Sequence, residues 1–286
     1  MRIIRYFFEY IAIIILFSLF KLLGYRIASE LGYLLGKTFG PLFRSKKIIH
    51  SNIKKALPKI TSKDLNKITK LMWNNYGRTF AEYIFIKDFR QGKLRSEIGI
   101  EGKEILNEIK KQNKQVVFIS GHLSNFELMA MCLEDNDIKL SAIYRPLNNI
   151  FLNKIMERIR AKYICKYQIK KGIGGIKKLI KFKKKNFSTA LMIDQRVSEG
   201  IRSDFFGTPA FTTTIPAQII KKFNCEIVPV HIERYDDIKF NLTFDKPIKF
   251  DENTSTEEIT LKLNKILEIM VLKDPSQWIL THNRWK

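Results

Sequence analysis

A histidine and a glutamate five residues apart, His122 and Glu127, follow an apolar run, Val116 to Ile119, that closes in Ser120-Gly121. The run reads as a buried strand and the next residues as a helix start. An imidazole at the carboxyl end of a strand stands where open α/β sheets keep their chemistry. Paired with a carboxylate that orients it, it is a general base for a hydroxyl. On one continuous helix a five-residue step turns through about 500°, leaving the two side chains about 140° apart. The pair meets only if His122 lies in the loop and the helix begins near Ser124. The bland alternative is that Ser124-Asn125-Phe126-Glu127 is a capping box, with Glu127 satisfying only the first helical amide.

Three more stretches bear on that choice. Tyr144-Arg145-Pro146 places an arginine at a strand end, held extended by the proline, and suits a phosphate or a developing oxyanion. Ile193-Asp194-Gln195-Arg196 again puts polar residues at the end of a buried strand, on the rim His122 would share. Glu199 to Ala210 is a polar loop; its Asp204-Phe205-Phe206-Gly207 lacks the companions of a kinase motif. Gly172-Ile173-Gly174-Gly175 fits neither the dinucleotide nor the Walker pattern. Cys132, Cys165 and Cys225 are widely spaced, so neither a disulfide framework nor a thiolate zinc site is expected. With four histidines in all, no metal site is expected.

The elements that must hold these residues follow from periodicity. Strands are expected at Gln115–Ser120, Lys139–Tyr144, Ser188–Ile193, Glu226–Glu233 and Lys239–Phe244. Helices are expected at Glu104–Lys111, Asn125–Leu133, Asn148–Tyr163, Lys177–Lys184, Thr213–Lys222 and Ser255–Leu272, and helical pattern runs from Lys46 to Ile86. Gly92 to Gly102 reads as a polar connector. Alternating strands and helices imply an α/β fold, a mostly parallel sheet covered by helices. Trp73, Tyr76, Phe80, Tyr83 and Phe85 form either core or the wall of an acyl-chain groove.

Residues Tyr6 to Leu23 are nearly all apolar and as a helix would span roughly 27 Å, close to the hydrocarbon core of a bilayer. Without a small-residue cleavage pattern the segment reads as an uncleaved anchor, although Glu9 is awkward at membrane depth. Lys21, Arg26, Lys37, Arg44, Lys46 and Lys47 follow it, which places the bulk of the chain in the cytoplasm. Gly24 to Gly40 suits an interfacial helix. Residues 1–45 are thus expected to be anchor and interfacial helices, and 46–286 one α/β domain.

Taken in order, Gly-His-Leu-Ser-Asn-Phe-Glu, Tyr-Arg-Pro-Leu-Asn-Asn, Asp-Gln-Arg with Glu-Gly and Asp-Phe-Phe-Gly-Thr-Pro-Ala, and the terminal Gln-Trp-Ile-Leu-Thr-His-Asn-Arg-Trp-Lys resemble the lipid A biosynthesis (late) acyltransferases, within the wider glycerolipid acyltransferase superfamily. The resemblance covers nearly the whole chain and implies a glycerolipid acyltransferase-like fold. It implies that His122 takes the proton of an acceptor hydroxyl on a lipid A precursor, while Glu127 orients the imidazole. The hydroxyl attacks the thioester of an acyl-carrier protein or coenzyme A. Arg145 and Asp194, with Gln195 and Asn125, fall where such a protein shapes its substrate site; no metal or cofactor is implied. The first motif departs from the usual Asn-Trp-Glu, with Phe126 in place of the indole.

The formal charge of +23 over 286 residues implies an anionic partner, whether membrane surface, acidic carrier or nucleic acid, or simple compositional drift. Lys177, Lys178, Lys181, Lys183, Lys184 and Lys185 are the densest part of it. Nucleic-acid binding leaves the strand-end His, Arg and Asp without a role. Another lipid acceptor (a lysophospholipid, an aminolipid or a glycosylated phosphoinositide) fits the same chemical centre.

Overall fold

The apolar run before His122 is the middle of the sheet because its side chains are buried on both faces. In the computed structural model, which describes residues 1–286 with every side chain except that of Ile173, the strand β2 (Val117–Ser120) sends Phe118 into one core and Val117 and Ile119 into the other. In chain order the elements are α1 (Arg2–Leu23), α2 (Tyr25–Phe43), α3 (Lys46–Ala56), α4 (Ser62–Glu82), α5 (Ile86–Gln91), β1 (Ile98–Glu101) and α6 (Lys103–Lys111) ahead of β2. After it come α7 (Glu127–Asp135), β3 (Leu140–Tyr144), α8 (Ile150–Ile159), β4 (Tyr167–Lys170), α9 (Ile173–Lys183) and β5 (Ser188–Met192). Then follow β6 (Ile201–Phe205), β7 (Thr208–Thr212), α10 (Ile215–Phe223), β8 (Ile227–Tyr235), β9 (Lys239–Phe244) and α11 (Thr256–Lys273).

Among the described residues seven strands form one sheet in the order β1-β9-β8-β2-β5-β3-β4. All neighbours are parallel except β8 and β9, which run antiparallel. The fold is therefore the expected α/β sheet covered by helices. β1 and β4 are additions to the sequence reading. Both are edge strands with half-exposed residues, so neither shows an apolar run. The polar loop after Glu199 is likewise a hairpin of β6 and β7, turning through Phe206 (φ 55°) and Gly207 (φ 71°). Two successive left-handed residues suit a tight hairpin, but Phe-Gly lacks the Asn-Gly signature.

The amino-terminal helices join the same core. Gly32, Gly36 and Gly40 of α2 face Gly77 and Trp73 of α4 so closely that a Cβ on Gly36 would lie 2.2 Å from the Trp73 carbonyl oxygen. The glycines expected to suit an interfacial helix thus permit helix–helix contact, while Ile27, Leu34, Phe39, Leu42 and Phe43 stay exposed. On α1, Phe17 and Phe20 are buried, whereas Ile3, Ile4, Phe7, Phe8, Ile15, Leu19 and Leu22 face outward. α1 is long and apolar enough to cross a membrane, with a mean hydropathy of 2.0. Glu9 is met by Arg5 at 3.2 Å and by the Asn149 amide at 3.2 Å, which eases its place on an apolar helix. Residue 45 falls at the junction of α2 and α3.

Of the aromatic cluster on and after α4, Trp73, Tyr83 and Phe85 are buried; Tyr76 and Phe80 are partly exposed, and Tyr76 reaches the central cavity. Lys183 does not belong to the basic face of α9. It is buried, with Nζ 3.7 Å from Cys225 Sγ and 5.7 Å from the Phe223 ring centre.

Candidate functional site

Strand register decides which carboxylate meets His122. Ser120 of β2 pairs with Met192 of β5 in a parallel ladder, so the residues two places further on, His122 and Asp194, emerge side by side. His122 Nδ1 lies 2.6 Å from Asp194 Oδ1. The other oxygen of Asp194 accepts the Trp278 indole N–H at 2.9 Å. Asp194 is buried. Burial alone would push its carboxyl up, but attraction to His122, the hydrogen bonds from that ring and from Trp278, and the His122 amide outweigh it. The net effect holds the group well below the usual carboxylate range. With Nδ1–H donated to Asp194, Nε2 is the basic nitrogen, and the Gln195 amide nitrogen lies 3.3 Å from it. The Phe126 ring meets the imidazole edge-on, centroids 4.6 Å apart.

The Glu127 carboxylate is turned to Arg160 rather than to His122. Its Oε1 accepts two hydrogen bonds from Arg160, one from Nε at 3.0 Å and one from a terminal nitrogen, and both side chains are largely buried. The sequence geometry was right that His122 lies outside the helix, yet α7 begins only at Glu127. A guanidinium is a permanent, forked cation and takes a carboxylate in preference to an uncharged imidazole. Arg160 stands at the start of a π-helical turn, Arg160–Ile164, that continues α8, and nothing in its spacing announces the contact.

The capping box is also absent. Ser124 sits at φ 49°, its hydroxyl is buried without a partner, and Phe126 occupies the cap position with no side-chain bond. A non-glycine residue there stores roughly 1–3 kcal/mol of strain, which is tolerated where surrounding contacts fix the chain. Those contacts are on hand: the Ser124 amide donates to the Gln277 carbonyl at 2.8 Å and the Thr79 hydroxyl to the Ser124 carbonyl at 3.2 Å. Asn125, expected to touch substrate, is instead buried, its amide donating to Glu82 Oε2 at 3.1 Å.

The carboxyl-terminal residues, used above only as a motif, form a strap behind the dyad. The Ile279 amide donates to the His122 carbonyl at 3.0 Å, and buried Arg284 donates to the Ile193 carbonyl at 2.7 Å. Asn52 of α3 ties the strap down through the carbonyls of Leu280 and His282, both at 2.8 Å. A run of aromatic and polar residues without helical period was the only sequence signal for this role.

His122 faces a cavity of about 430 Å³, within the range of small-ligand sites. Apolar side chains reach it from α7 (Met129 and Ala130), β3 (Ala142) and β5 (Ala190 and Met192), with Ile164. Arg44, Arg145, Lys171 and His282 line the same cavity. Of the residues expected to bind substrate, Arg145 and Gln195 line the cavity; Asn125 does not. The arrangement can deprotonate a hydroxyl beside an apolar slot.

Over residues 1–286 the sequence matches the family described as bacterial lipid A biosynthesis acyltransferase. It is 26% identical over 194 residues to lipid A biosynthesis acyltransferase 2 of Shigella flexneri, covering 65% of this chain and 60% of that protein. It is 22% identical over 272 residues to the lipid A biosynthesis palmitoleoyltransferase of Escherichia coli K12, covering 92% of this chain and 86% of the relative. With the lipid A biosynthesis myristoyltransferase of the same organism the identity is 24% over 198 residues, 66% of this chain and 59% of the relative.

Proposed function

Because the chain belongs to the bacterial lipid A biosynthesis acyltransferase family, we propose that it moves a fatty acyl chain from a thioester to a hydroxyl of a lipid A precursor, with His122 as general base. The carrying observation is the 2.6 Å contact of His122 Nδ1 with buried Asp194 at the head of a half-apolar cavity. Nε2 takes the acceptor's proton as its oxygen attacks the thioester carbonyl. The tetrahedral oxyanion then collapses, the C–S bond breaks, and the departing thiolate receives the proton from the imidazolium. Asp194 supports the charged ring while it exists. Arg160, held by Glu127, faces the same cavity and favours negative charge there. Glu127 therefore serves the reaction through Arg160 rather than through His122.

The donor is an acyl-carrier protein or coenzyme A thioester, and the cofactor-free scheme needs no metal. The apolar outer faces of α1 and α2, followed by cations, suit an anchor in the inner membrane with the catalytic domain on its cytoplasmic face. Exposed Lys177, Lys178, Lys181, Lys184 and Lys185 suit an anionic membrane surface or an acidic carrier.

Two measurements test this. In detergent, His122→Ala and Asp194→Asn should each lose transfer of a radiolabelled acyl chain to the acceptor while keeping their fold; an active Asp194→Asn protein would overturn the dyad. Mass spectrometry of lipids from a deletion strain should show lipid A short of one acyl chain. An intact lipid A with another lipid altered would move the activity to that acceptor.

A further inference from the structure

Three groups with no part in the proton transfer stand at the cavity mouth. Arg44 follows α2, Arg145 follows β3, and His282 belongs to the carboxyl-terminal strap, so only the fold brings them to one opening. Among the described residues neither Arg44 nor Arg145 forms an ion pair, whereas buried Arg78, Arg160 and Arg234 do. The cavity lining carries four cations (Arg44, Arg145, Arg160 and Lys171) against one carboxylate, Glu127, which Arg160 already engages. The cavity lining thus carries an excess of positive charge, and Arg44 and Arg145, both exposed, bring part of it to the opening.

His282 is close enough to feel both arginines. Burial pushes its pKa down first, and His122, Arg44 and Arg145 lower it further, against the pull of Asp194. A neutral imidazole near two arginines can take up a proton when an anion arrives, adding a third donor. Two guanidinium forks and one imidazole suit a group with several oxygens and more than one negative charge better than a single carboxylate.

We propose that Arg44, Arg145 and His282 form a phosphate-recognition site at the cavity mouth, occupied by a phosphate carried on one of the two substrates. The inference rests on the acyl-transfer reading and adds the chemistry that seats the substrate. Two sources offer the group: a phosphate on the acceptor headgroup, or the phosphate of the donor's phosphopantetheine arm.

The test uses the full chain in detergent, wild type and the double variant Arg44→Gln/Arg145→Gln, both sites being exposed. Binding is compared for a phosphorylated lipid A precursor and its dephosphorylated counterpart, and for acyl-phosphopantetheine and acyl-pantetheine. Wild type should prefer the phosphorylated member of one pair by roughly tenfold to a hundredfold, and the double variant should lose that preference. The pair affected identifies the source. The inference is overturned if wild type prefers neither phosphorylated member, or if the variant keeps every preference. Acyl transfer in the same samples separates the two ideas. Transfer without phosphate preference sinks the site alone; phosphate preference without transfer sinks the acyltransferase reading alone.

Discussion

Asp194 and Glu82 are both buried carboxylates with charged or protonatable partners, yet they do opposite work. Glu82 ends α4 fully buried, where it receives the Arg234 guanidinium on both oxygens, the Ser29 hydroxyl at 3.1 Å and the Asn125 amide at 3.1 Å. Arg234 also donates to Asn75 at 3.0 Å and to the Thr79 hydroxyl at 3.3 Å. Every partner of Glu82 is a fixed donor, so the charge stays where it is. Asp194 receives one fixed donor, Trp278, and one exchangeable donor, His122. An arginine does not release its proton in a protein, while an imidazole does so near neutrality. The first cluster locks α2, α4, β8 and the loop after His122 together; the second holds an exchangeable proton, as the proposed acyl transfer requires.

That contrast predicts different failures. The largest effect is expected from His122→Ala: acyl transfer should fall by roughly 10²- to 10⁴-fold, with the melting temperature nearly unchanged. A large loss of stability instead would make the dyad another structural lock. Next is Arg234→Met, which leaves Glu82 charged and unpartnered. It should cost about 3–5 kcal/mol in denaturant unfolding, and adding Glu82→Leu should recover much of that. If Arg234→Met abolishes transfer without destabilising the protein, the division between lock and proton carrier is wrong.

Trp278→Phe removes the fixed donor from Asp194 and keeps the aromatic volume. A lost hydrogen bond to a charged group is worth about 1.5–3 kcal/mol, so kcat should fall roughly tenfold or more while KM for the acceptor holds. A rise in KM alone would show that the indole serves binding. The smallest effect concerns His231 on β8, buried with Nδ1 unpartnered; burial, with Lys273 adding, pushes its pKa down to about 4. The unfolded ring gains a proton below about 6.5 and the folded ring resists it. This contribution is therefore fully present above that pH and is lost as pH falls from about 6.5 to 4, by about 2–3 kcal/mol. His231→Leu should flatten the stability curve across that window and leave transfer intact.

The sheet was legible because β2, β5 and β8 carry or adjoin short apolar runs (residues 116–119, 190–193 and 227–230), and α11 because Ser255 and Glu258 do form a capping box. β1, β4 and the hairpin were not, since edge strands and a Phe-Gly turn carry weak patterns. His122, Asp194, Gln195 and Arg145 could be named from strand ends, because a parallel sheet delivers those ends to one rim. Their partners could not.

By itself, then, the sequence determined the kind of fold, the apolar amino end and the histidine with polar strand ends around it. These follow from short-range periodicity and burial, which local residue order encodes. Only the tertiary structure decided that Asp194 rather than Glu127 meets His122, that Arg160 takes Glu127, and that Trp278 and His282 stand at the site. Those pairings depend on lateral strand register and on helices far apart in the chain. A spacing of five residues says where the histidine must sit. Which charge reaches it is fixed by the neighbouring strand.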